Sequence, residues 1–188
     1  MKTKLWKVGY APITEMTREK TTYDEPVYFA DAEAGGREYS ATAKGEAQTI
    51  YANSQLVYGG EENDGYEIKL TLIDIIDDID EHWLGNTIAT NGVLEKTSNK
   101  ERPRFALILS DKDTDDVGKT VIFYNCQVTA RPDISGKTAE EGKWDTQFPE
   151  YTIKASPRVS DGYVRFTTSG TDELTEVVEP TFDTEPTE

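Results

Sequence analysis

The chain has few of the groups that most enzymes work with. Its 188 residues include one cysteine, Cys126, and one histidine, His82. A lone cysteine excludes an internal disulfide, which fits folding in a reducing compartment. A nucleophilic hydrolase needs a base beside its nucleophile. Here the thiol lies mid-strand on an apolar face, where a cysteine is more often a small buried hydrophobe, and no local Cys/His signature accompanies it. The glycine motifs that cradle nucleotides and the Cys-x-x-Cys pair are missing too. Asp111 to Asp116 opens like a calcium loop, but its sixth position is Asp116 rather than glycine and its twelfth is Ile122 rather than glutamate. Nothing in the sequence reads as an active site, a cofactor site or a metal site.

Bases are also scarce beside acids, 20 against 36, for a net charge of −16. Affinity for nucleic acid comes mainly from cations that neutralise phosphates, so a DNA-binding role is disfavoured. An acidic, soluble protein kept apart by self-repulsion fits, as does a surface that must not stick to DNA. No apolar run approaches the roughly 20 residues that span a bilayer. Met1 to Lys4 is followed by only a few apolar residues before Lys7, which is not the pattern of a secretory leader.

What the chain does have is alternation. From Gly65 the residues Tyr66, Ile68, Leu70 and Leu72 point one way and Glu67, Lys69 and Thr71 the other, the period of a half-buried strand. The period then becomes helical, with Ile75, Ile76, Ile79 and Trp83 on one face and Asp77, Asp78, Asp80 and Glu81 opposite. The spacing predicts one amphipathic helix over residues 74–84. Asp74 is its expected N-cap, Gly85 its left-handed end, and Ile75, Ile76, Ile79 and Trp83 its packing residues. Strands are expected near 4–10, 26–30, 50–58, 105–109, 119–130, 144–156 and 162–168. In the second of the long strands, Ile122, Tyr124, Cys126 and Val128 are expected on one apolar face, and Pro149 argues for an edge or a bulge in the 144–156 segment. Residues 37–49 are polar and small, with Gly45 as a candidate hairpin tip, and read as a long polar loop that its own subunit cannot anchor. Lys96 to Arg104 is the one basic patch and reads as a solvated loop. The segment 171–188 holds seven acids and no base; removing them from −16 leaves −9 for the body. It is expected to be a disordered acidic tail after a β domain of residues 1–170.

The order of these segments is more specific than any one of them. VGYAPIT, then IYANSQLVYGG running into GYEIKLTLIDIIDDIDEHWLG, then RFALILSDKD and FYNCQVTARPD with GKTAEEGKWDTQFPEYTIKASPR behind it, together cover most of residues 4–168. In this pattern the chain resembles the major tail proteins of long-tailed, non-contractile bacteriophages of Gram-positive hosts. The resemblance implies a mainly β, sandwich- or barrel-like tail-tube core with one flanking helix and no enzymatic activity or cofactor. It implies six copies closing into a ring, and rings stacking into a tube that conducts DNA without binding it specifically. Partners would be the chain itself and the tape-measure, tail-terminator and distal-tail proteins, in the virion rather than at a membrane, after synthesis in the host cytoplasm. The polar strand faces would then line the channel through Glu67, Lys69, Thr71, Asn125, Gln127 and Thr129. The polar loop would touch the next ring through Arg37, Glu38, Tyr39, Lys44 and Glu46. The alternative is a monomeric β-sandwich binding or adhesion module.

Overall fold

The computed structural model describes residues 4–29, 35–52, 55–95, 102–112, 118–134 and 147–182, and of residues 4, 6, 47–52 and 55–61 the backbone alone. The protein is mainly β, with antiparallel strands and one small helix. The strands are β1 (Lys4–Met16), β2 (Thr21–Tyr23), β3 (Val27–Tyr28), β4 (Gly36–Lys44), β5 (Ala47–Ala52), β6 (Gln55–Glu61) and β7 (Gly65–Leu72). After α1 (Asp77–His82) come β8 (Thr87–Ala89), β9 (Gly92–Leu94), β10 (Phe105–Lys112), β11 (Gly118–Ala130), β12 (Glu150–Ala155) and β13 (Arg165–Ser169). One nine-stranded sheet runs β2-β1-β10-β11-β12-β7-β4, with β13 added to β11 and β3 to β1. The sheet curls until its far end meets its beginning: a Cβ on Gly36 would lie 2.3 Å from Val8 Cγ2, so only glycine allows this approach.

Inside the curl, Ile68, Leu70 and Leu72 of β7 face Tyr151, Ile153 and Ala155 of β12, and Phe105, Leu107 and Leu109 of β10. Trp83 is fully buried among them. Its indole stacks on Phe105 at 4.7 Å between centroids and meets Tyr10, Phe29 and Tyr151 edge-on. The contribution is one of ring packing, since Trp83 Nε1 has no hydrogen-bond partner among the described residues. Ile79 is buried beside it and Ile76 packs on the rim, but Ile75 is 37% exposed and takes no part. The helix is accordingly shorter than the expected 74–84. The Asp74 carboxylate accepts from the neighbouring Ile75 N–H at 2.8 Å instead of capping. The cap position falls to Ile76, whose backbone is extended and whose side chain offers no bond. Asp77, Asp78 and Asp80 occupy the first turn, where the helix dipole favours acids. Gly85, at φ +71, ends the turn as expected.

β11 departs from the expected single apolar face. Its register with β10 slips between the pairs Phe105↔Cys126 and Leu107↔Phe123, which marks a bulge. A one-residue slip exchanges the two faces of a strand. Phe123, Cys126 and Val128 therefore share the inner core, while Ile122 and Tyr124 turn outward into a second cluster with Ile108. Ser110 and Thr120 are buried on these same two strands and bonded to each other at 2.9 Å.

The second cluster is covered by the chain's own end. Residues 171–180, part of the 171–188 segment expected to be a disordered tail, run as a strap over the outer face of β10 and β11. Leu174, Val177 and Val178 pack on it together with Tyr23, Tyr28 and Phe166. Tyr28 Oη accepts from the Leu174 N–H at 2.8 Å, and Tyr124 Oη donates to the Val178 carbonyl at 2.8 Å. Lys7 and Glu173 pair at 2.8 Å. The main lock is Arg158, whose side chain is 4% exposed. Its guanidinium lies 4.2 Å above the Tyr124 ring and forks onto both Asp161 and Glu179, with Glu179 Oε2 at 2.8 Å. Burial alone would depress the Arg158 pKa, but its bonds to Glu179 and Asp161 outweigh it and hold the cation charged. Burial also pushes Tyr23, which touches Arg158, up to about 12.

Other expectations shift as well. The strand expected over 26–30 is the two-residue β3, and that over 50–58 is a hairpin, β5–β6. β12 is an interior strand rather than an edge, because Pro149 stands just before its first paired residue and removes no ladder bond. Ala30, Ala34, the basic residues 96–101, the acidic turn 113–117, the 135–146 loop with Gly136, Gly142 and Trp144, and 183–188 lie outside the described residues.

Trp83→Ala is expected to cost about 3–5 kcal/mol as a large buried ring is lost. Ile75→Ala should stay within about 0.5 kcal/mol as an exposed change. Urea melts of the two variants against the parent check both. Ending the chain at Gly170 should cost roughly 3 kcal/mol, since it leaves Arg158 a buried cation with one carboxylate and uncovers the second cluster; half-exposed Glu179 keeps the figure at the low end. An unchanged urea midpoint for the truncated chain would contradict that role.

Candidate assembly surface

Four strands of the sheet, β4, β7, β12 and the last part of β11, share a face that the core does not use. Registry fixes its layout. Glu38, Thr71 and Glu150 form one row across β4, β7 and β12; Ser40, Lys69 and Thr152 form the next; Thr42, Glu67 and Lys154 form a third, extended by Gln127 of β11. Lys44 stands at the end. The intervening residues Tyr39, Leu70, Ile68, Tyr151 and Ile153 point into the core, so the sheet is polar on one side and apolar on the other. Two ion pairs cross the polar side: Lys44 Nζ lies 3.6 Å from Glu67 Oε2, and Lys69 Nζ lies 4.0 Å from Glu150 Oε1.

The expected channel-facing residues fall unevenly on this surface. Glu67 and Lys69 lie on it with their side chains about half exposed. Thr129, extra at a second register slip, is exposed and donates to the Thr152 carbonyl at 3.1 Å. Gln127 is on the same face but partly covered, its amide donating to the Arg102 carbonyl at 2.9 Å. Thr71 is in line with the others yet only 8% exposed. Asn125 is a correction: it is 1% exposed, caught at the bulge of β11. There its Oδ1 accepts from Arg104 at 2.9 Å and its Nδ2 donates to the Pro157 carbonyl at 3.1 Å. Arg104 and Arg102, expected on a solvated loop, are thus staples. Arg102 donates to the Val128 carbonyl at 2.7 Å.

The expected loop at 37–49 is also corrected. Arg37 to Lys44 belong to β4, paired with β7 along its whole length. The register gives these small polar residues their place, as they need only match a neighbouring strand and not fill a core. Tyr39 reaches across the mouth of the curl to Asp111, Oη to Oδ2 at 2.6 Å, and burial and that bond raise its pKa. Arg37 lies 4.2 Å over the Phe148 ring. Glu38, Lys44 and Glu46 are exposed. No strand among the described residues pairs with the outer edge of β4.

Gly45 is a junction rather than a tip. Across it the ladder continues, Asp64 N–H to the Lys44 carbonyl at 3.0 Å and Glu62 N–H to the Glu46 carbonyl at 3.2 Å, into β5 and β6. β4 to β7 is therefore one long hairpin. Its base belongs to the main sheet, while its outer half, 47–61, pairs only with itself. The sequence of that outer half includes Ile50, Tyr51, Leu56, Val57 and Tyr58. An isolated two-stranded ribbon is marginal in water, so the pairing of β5 with β6 alone gives this arm little stability.

Among the described residues, the one cysteine and the one histidine stand apart from these surfaces. Cys126 is fully buried and its thiol is pushed far up by desolvation, while the His82 ring sits against Tyr10 with Nδ1 3.1 Å from the Asp78 carbonyl oxygen. Among the described residues no three His, Cys, Asp or Glu side chains converge to hold a metal ion. None of their helices is long and apolar enough to cross a membrane. In comparison with known proteins, no family model and no curated sequence matches the chain.

Proposed function

We propose that this chain is a structural subunit that assembles into stacked rings, six copies to a ring, to form a bacteriophage tail tube through which DNA is ejected. The observation that carries the reading is the long hairpin β4–β7. Its base gives the sheet a polar face and an open edge, and its outer half is an arm whose two strands, among the described residues, pair only with each other. An open edge and an unanchored arm on one copy are complementary needs. Contacts between unlike surfaces repeat head to tail; they close into rings where the rotation allows and stack into filaments along an axis. A sheet with one dry and one wet side suits the wall of an aqueous channel. The tape-measure, terminator and distal-tail proteins that the sequence resemblance implies would meet the tube at its bore and ends.

Purified protein viewed by electron microscopy, with light scattering across a concentration series, tests the reading. Rings or tubes that grow with concentration are the expected outcome. A strict monomer at every concentration would contradict it and leave a monomeric β binding module. Replacing residues 47–61 by a short turn should abolish tubes while leaving the unfolding free energy of the subunit, from urea melts, within about 0.5 kcal/mol, since the arm lies outside the main sheet.

A further inference from the structure

We infer that the polar face of β4, β7 and β12 masks its own lysines, and that this masking lets a duplex DNA pass along it without being held. The inference rests on the reading of that face as the wall of a conduit. The chain as a whole carries 36 acids to 20 bases, but this face departs from that excess. Its charged side chains are Glu38, Glu67 and Glu150 against Lys44, Lys69 and Lys154, three of each sign. Each cation has an acid at hand. Lys44 lies 3.6 Å from Glu67, Lys69 lies 4.0 Å from Glu150, and Lys154 is the cross-strand register partner of Glu67.

The paired side chains are about half exposed, so these contacts add little to folding. Their effect is on what approaches from outside. The separations of 3.6 Å for Lys44 and Glu67 and 4.0 Å for Lys69 and Glu150 are well below the ~8 Å screening length at physiological salt. A phosphate beyond that range meets a small dipole, whose field decays faster than that of a bare ammonium. A wall of glutamates alone would set like charges opposite one another across strands, which weakens a sheet, and would repel incoming DNA. Unmasked lysines, repeated in every copy, would hold phosphates by releasing their counterions. Interleaving the two signs in register avoids both outcomes. Glu67 is central, because it stands between Lys44 and Lys154.

The test uses assembled tubes of three proteins: the parent, the double variant Glu67→Gln and Glu150→Gln, and a control, Glu19→Gln and Glu25→Gln, which makes the same charge change at exposed positions off this face. Retention of a short DNA duplex is measured by sedimentation over a range of salt. The parent and control should retain none. The double variant should retain duplex, with affinity falling about 3.5-fold per phosphate contact for each fourfold rise in salt. Equal behaviour of the double variant and the parent, in tubes that form normally, overturns the inference. So does a control that gains as much as the double variant, which would make net charge and not location the cause. Failure of the parent to form tubes at all overturns the conduit reading itself, and the inference with it.

Discussion

A strand in a sheet sends alternate side chains to opposite faces, and β7 and β12 keep to that rule along their shared ladder. Ile68, Leu70 and Leu72 go inward and Glu67, Lys69 and Thr71 outward; Tyr151, Ile153 and Ala155 go inward and Glu150, Thr152 and Lys154 outward. Everything proposed for the protein depends on this division. It allows one set of residues to fold the subunit and another, on the same strands, to meet the outside. Substitution on the outer set disturbs few interior contacts, which leaves that face open to selection for function.

The other half of the sheet is built differently. β10 and β11 are covered on both sides, inward by the Trp83 cluster and outward by the C-terminal strap. Strands buried on both faces form a stiff centre. The strap is held by hydroxyls, aliphatic contacts and one forked arginine without a strand ladder. Stiffness and exposure are therefore segregated. The parts proposed to contact other copies, the β4 edge and the β5–β6 arm, belong to other strands than this double-covered pair.

How much of this was legible in the sequence follows from how local each signal is. The alternation of β7, the burial of Ile79 and Trp83, and the apolar run of β10 need only neighbours in the chain, and they are plain to read. The helix start was obscured because Asp74 bonds its own neighbour, a choice that residue type does not reveal. The two faces of β11 were misassigned because a bulge leaves no mark in a run of alternating apolar residues. β4 looked like a loop since its main support is registry with β7, about 30 residues away in the chain at mid-strand. The strap was hidden for a similar reason. Leu174, Val177 and Val178 are too few to nucleate anything alone, and the tyrosines and Arg158 that receive them come from distant segments.

The central claim is that the β5–β6 arm finds its partner in another copy. Hydrogen exchange of the backbone amides of residues 47–61, followed in dilute subunits and again after assembly, tests it most directly. A self-paired ribbon outside the sheet should exchange within seconds in the dilute protein, far faster than the amides of β10 and β11, and become strongly protected once copies associate. Protection already present in the dilute subunit, or absent after assembly, would contradict the claim.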